Sequence, residues 1–170
     1  MQNPHFMRWV IVCSLVATFL VFCIYGFVLP KESLIQPLIE RSKWIATVPI
    51  IVAALFIFVQ NCVVIGVATL SGIIVVPTYV LVAINGFAVG TVLAISPHSI
   101  WSNLAILLPH GIIELLAATI GCTAGLREGY HLIQQKPILW KKLFKTYFLI
   151  VVPLLALAAV IEALLLLTIR

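Results

Sequence analysis

Apolar positions along the chain fall in runs of about twenty residues, the length a helix needs to cross a hydrocarbon core of about 30 Å. Five such runs predict five spans, at residues 9–29, 44–70, 78–95, 104–126 and 147–169. Between the first two, Leu34, Ile35, Leu38 and Ile39 recur at helical spacing among Lys31, Glu32, Glu40, Arg41 and Lys43. That pattern fits an amphipathic helix lying on the membrane surface, or a solvated loop. Ser71, Gly72 and Pro77 predict a tight reversal between the second and third spans. The region 99–130 is the least regular, because Pro109 interrupts it. It reads as one Pro-kinked span, as a short interfacial helix leading into a span, or as a re-entrant segment. The expected fold is all-α: a single polytopic transmembrane helix bundle over residues 1–170, with a basic loop at 127–145.

Composition sharpens this reading. Hydrophobic residues make up 64% of the chain and charged residues 9%, against about 25% charged in a soluble domain. An ordinary cytosolic enzyme, a disordered chain and a disulfide-framed module are excluded. The first run is longer than a typical signal-peptide apolar region and ends without a small-x-small pattern, so it reads as a retained span. The net charge of +5 sits at the ends of apolar runs rather than in a basic stripe with aromatics, so no nucleic-acid partner is expected. The lipid bilayer is the expected surrounding. Arg8, Arg127, Lys136, Lys141, Lys142 and Lys145 fall on one side, and Lys31, Arg41, Lys43 and Arg170 on the other. By the positive-inside rule this predicts a plasma-membrane protein with a cytoplasmic N-terminus, a cytoplasmic 127–145 loop and an external C-terminus.

Polar residues inside the spans carry the candidate chemistry. A charged acid at the centre of a span costs about 2.5–3.5 kcal/mol on insertion scales, and Glu114 and Glu162 both lie within apolar runs. His110 precedes Glu114 by four residues, so the two share a helix face. Such a pair can shuttle protons, contribute to a cation site, or satisfy itself inside a bundle. Asn61 and Asn85 add groups able to hydrogen-bond across helices, giving an expected polar network of Asn61, Asn85, His110, Glu114 and Glu162. Gly86 with Gly90, and Gly121 with Gly125, form two GxxxG pairs that permit close helix packing. The four cysteines, Cys13, Cys23, Cys62 and Cys122, lie in apolar runs without a CxxC pair. They read as small buried hydrophobes, and no metal or other cofactor is expected. No nucleophile elbow, Walker sequence or zinc-protease helix is present. His98, Ser99 and Ser102 lack a matched acid, so no catalytic residue is assigned and no enzyme activity is expected.

Several of these residues carry a family resemblance. Asn61, the NGFAVG stretch at 85–90, PHGIIE at 109–114, the small-residue run to Gly125 and AAVIEALLLLT at 158–168 resemble the stage II sporulation protein M family. The resemblance implies an all-helical membrane domain of about five spans. The namesake member is a membrane anchor that recruits cell-wall-degrading enzymes, and other members look like permease-type components. A non-catalytic scaffold or complex subunit is therefore expected, self-associating and binding membrane or cell-wall-associated partners. The alternative is a small proton- or cation-coupled transporter, channel or permease subunit using His110, Glu114 and Glu162.

Overall fold

The computed structural model describes residues 4–30, 32–45, 47–96 and 99–169. These form helices α1 (Pro4–Val28), α2 (Glu32–Ile45), α3 (Ile50–Ser71), α4 (Val76–Ile95), α5 (Ile100–Ile133), α6 (Trp140–Thr146) and α7 (Val152–Ile169). A π-helical turn, Tyr147–Val151, joins α6 to α7, and no strand occurs among the described residues. Five helical stretches are long and apolar enough to cross a membrane: Phe6–Val28, Ile50–Ser71, Val76–Ile95, Ile100–Ile133 and Trp140–Leu165. The chain is an all-α, multi-pass membrane bundle.

Several boundaries differ from those drawn on the sequence. Trp44 and Ile45 end α2 rather than open the second span, which starts only after Pro49; a proline disfavours helical backbone in the residue before it. The interval 31–43 is helix rather than loop from Glu32 onward, with Pro37 inside it. Pro109 neither breaks nor re-enters: α5 runs through it without interruption. A proline removes one backbone N–H, a loss that transmembrane helices tolerate when neighbouring groups compensate. The stretch 127–145 is mostly helical too, since α5 extends to Ile133 and α6 begins at Trp140. Ser99, read beside Ser102 as a triad without an acid, is the N-cap of α5, where its hydroxyl accepts the Ser102 N–H at 3.2 Å. His98 lies outside the described residues, as do Lys31 and Arg170 of the charge count.

Glycines set the helix pairing. Gly86 meets the Phe19 carbonyl, Gly90 the Cys23 carbonyl and Gly26 the Phe87 carbonyl, so α1 and α4 run parallel with their backbones touching. Thr91 reinforces the pair by donating to the Gly26 carbonyl at 3.3 Å. In the same way Gly121 and Gly125 pack on Thr69, and a Cβ on Gly72 would lie 2.6 Å from the Gly125 carbonyl carbon, which seats α5 along α3. The π-helical turn and α7 complete this second group: Val151 and Leu155 join Ile65 and Ala117, and Ala159 joins Ala53 and Ile57. Both GxxxG pairs are thus occupied within the chain.

The α3–α4 reversal is a tight turn in which Val75, at φ 72° and ψ −67°, bridges the Val76 N–H to the Ile74 carbonyl at 3.0 Å. This conformation is strained for a β-branched residue. Packing of Val75 on the cluster of Ile11, Leu15, Ala68, Cys122 and Leu126 holds it there. That cluster joins the α1–α4 pair to the α3–α5–α7 group at one end of the bundle.

Candidate functional site

Next to that cluster, and reaching its Leu15, Ala68 and Cys122, the two helix groups flank a half-open cavity of about 410 Å³. Its wall is mainly apolar, with Phe19, Leu20, Val89, Leu104 and Leu107 among the lining residues. Asn61, Asn85, His110 and Glu114 also line it. Asn61 and Asn85 fall near the midpoints of α3 and α4, which puts the polar wall near mid-depth in the bilayer, where no bulk water competes for hydrogen bonds.

The partnership inside the cavity is not the one helical spacing suggested. The Asn61 side-chain amide donates to the Glu114 carboxylate, joining α3 to α5. His110 is 8% exposed and its Nδ1 has no hydrogen-bond partner. The Asn85 amide donates to the Leu81 carbonyl of its own helix at 2.8 Å and does not tie α4 to a neighbour. Glu162 is half-buried on α7 and is not among the residues lining the cavity. Four of the five expected members thus line one cavity.

A second polar construction, at the α5–α6 connection, was missed on the sequence. Glu128 is fully buried. Its Oε1 accepts from Arg127 Nη2 at 2.6 Å and Nε at 3.1 Å, and its Oε2 accepts the Leu139 N–H at 2.8 Å. His131 Nδ1 stands 3.5 Å from Oε2. One carboxylate thus fixes the end of α5, the connection 134–139 and the start of α6. Lys136, Lys141, Lys142 and Lys145 remain exposed around this clamp. Trp140, Phe144 and Phe148 stack along one face with ring centroids 6.0 and 6.4 Å apart, the kind of aromatic girdle found at membrane interfaces. The available signal was an acid beside Arg127 and three residues before His131, just past an apolar run.

Tyr147 also went unnoticed. From the π-helical turn its hydroxyl donates to the Cys62 carbonyl of α3. Gly66 admits it, since a Cβ there would lie 2.9 Å from the hydroxyl oxygen. The cysteines are free thiols, and no cluster of three or more metal-ligating side chains occurs among the described residues.

These features define a multi-pass helical membrane protein with a cavity near mid-bilayer and a clamped basic end. The family model of stage II sporulation protein M matches residues 15–165, and the chain belongs to that family. No curated protein and no solved structure matches it.

Proposed function

We propose that the chain is a non-catalytic membrane subunit that holds an acidic partner protein at the cytoplasmic face of the plasma membrane. The observation that carries this reading is the Glu128 clamp. Loose lysines would satisfy the positive-inside rule equally well. Here a buried carboxylate instead gives the connection a fixed shape, with Lys136, Lys141, Lys142 and Lys145 outside it. A surface ordered before binding loses less conformational freedom on docking. The family's namesake role, membrane anchoring of other proteins, points the same way. Because the GxxxG faces are filled from within, the clamped end is the surface left with a fixed polar shape.

A photo-crosslinking residue placed at Lys141 in native membranes tests this. The expected result is one dominant heterologous adduct, absent when the same probe sits at lipid-facing Leu157. Adducts to lipid alone would overturn the reading.

Transport is the second reading, and the cavity is the observation that favours it. Under that reading the Glu114 carboxyl carries a proton or cation across the bilayer, and the two helix groups move about it. Flux in liposomes containing only this chain, lost in Glu114→Gln with assembly intact, would establish transport in place of anchoring.

A further inference from the structure

We infer that Lys141, Lys142 and Lys145 of α6 form a binding site for the head group of an anionic phospholipid. The inference is separate from the anchoring reading. It concerns the lipid these lysines meet in the membrane, and no partner protein enters it.

Charge balance shows that the lysines need a counter-charge from outside the chain. The chain carries five acidic residues. Glu32 and Glu40 belong to α2, whose last residue packs at the start of α3, at the opposite end of the bundle. Glu114 and Glu162 lie within spans. Glu128 is the acid at the basic end, and it is fully buried, with Oε1 taken by Arg127 and Oε2 by the Leu139 N–H. The ion pairs among the described residues join Arg127 and His131 to Glu128. Lys141, Lys142 and Lys145 are exposed and have no carboxylate of their own chain beside them.

Depth selects a lipid as the source of that charge. The π-helical turn and α7, which continue from α6, contain 5 and 18 residues, about 34 Å of helix at 1.5 Å per residue. That length alone crosses a hydrocarbon core of about 30 Å. The 7 residues of α6 therefore stand just outside the core, in the head-group layer, which is about 5–8 Å deep on each side. Trp140, exposed and stacked on Phe144, marks the same level, as tryptophan does at membrane interfaces. Ammonium groups at this depth lie among lipid phosphates.

The fold also fixes how they are presented. Lys141 and Lys145 are one turn apart on one face of α6. Leu143, 1% exposed, seats the helix against the bundle, and Glu128 holds Leu139 just before it. A head group meeting an ordered backbone loses less freedom on binding than one meeting a loose tail.

The test uses the purified full chain, with no partner present, in phosphatidylcholine vesicles. Trp9→Phe, Trp44→Phe and Trp101→Phe leave Trp140 as the single fluorophore beside the site; all three replaced rings are exposed. Quenching is compared between phosphatidylglycerol and phosphatidylcholine carrying a nitroxide at the top of one acyl chain. Phosphatidylglycerol should bind next to Trp140 about fivefold or more tightly, since each lysine near the surface contributes about that factor. At about 1 M salt most of the preference should vanish. Lys141→Gln/Lys142→Gln/Lys145→Gln should bring the two lipids to near parity with an unchanged unfolding midpoint. Arg8→Gln, which removes a charge from the same side but not from α6, should keep the preference. Equal quenching in the wild type would mean that the lysines meet only soluble acidic partners, and would overturn the inference. A preference retained in the triple variant would overturn it as well. Neither outcome touches the crosslinking test of anchoring, which reads protein adducts.

Discussion

Glu114 and Glu128 are both acids in an apolar chain, and they are accommodated in different ways. Glu128 is surrounded by donors: two guanidinium N–H groups, a backbone N–H and the His131 ring. Breaking a buried ion pair by removing one partner costs about 3–5 kcal/mol. Glu128→Ala should therefore lower stability by about that amount, read from unfolding midpoints in mild detergent. Glu128→Gln, which keeps an acceptor for the Leu139 N–H, should lose less. Equal stability of Glu128→Ala and wild type would mean the clamp is not formed. Glu114 instead has a neutral amide donor from Asn61, 53 positions away. Insertion cost alone marks Glu114 as a site in the sequence. Its partner was not legible, because spacing along one helix reveals neighbours at three and four residues and says nothing about the helix alongside. Glu128 was hidden differently, placed in what read as a solvated basic loop.

Among the elements, the spans were readable because the bilayer imposes both length and apolarity on them. What the sequence withheld was which helices pair. A GxxxG motif states that a close neighbour is present but not which one, and here the partners are α1 for Gly86 and Gly90 and α3 for Gly121 and Gly125. The continuity of α5 through Pro109 was also hidden, since a proline marks a lost hydrogen bond without stating whether packing tolerates it. The glycines yield a paired prediction. Gly90→Ala sets a Cβ against the Cys23 carbonyl, and overpacking of this kind costs about 1–3 kcal/mol or more. Gly111→Ala meets only Leu107 Cγ, at an ordinary contact distance of 3.8 Å, and should stabilise by about 0.5–1 kcal/mol through helix propensity. Denaturant titration of the two variants side by side checks both signs. A stable Gly90→Ala would mean that α1 and α4 do not touch as described.

At the scale of the whole molecule, two helix groups joined at one end by Ile11, Leu15, Ala68, Cys122 and Leu126 leave a cavity toward the other. The clamped basic connection belongs to the joined end, since Leu126 and Glu128 lie within a turn of one another on α5. The parallel runs of α1 with α4 and of α3 with α5 put the start of α1 and the end of α5 on the same side. Single cysteines introduced at Lys136 and at Ser99 in a cysteine-free background should label from opposite faces of sealed vesicles, with Lys136 reacting from the cytoplasmic side. Labelling from the same face would contradict this topology.

The anchoring role is tested most directly by the mass and composition of the complex extracted from native membranes, wild type beside Lys141→Glu/Lys142→Glu/Lys145→Glu. The predicted result is a second polypeptide in fixed ratio with the wild-type chain, lost from the triple variant while the variant remains inserted and folded. A wild-type chain recovered alone, or only with copies of itself, would contradict it.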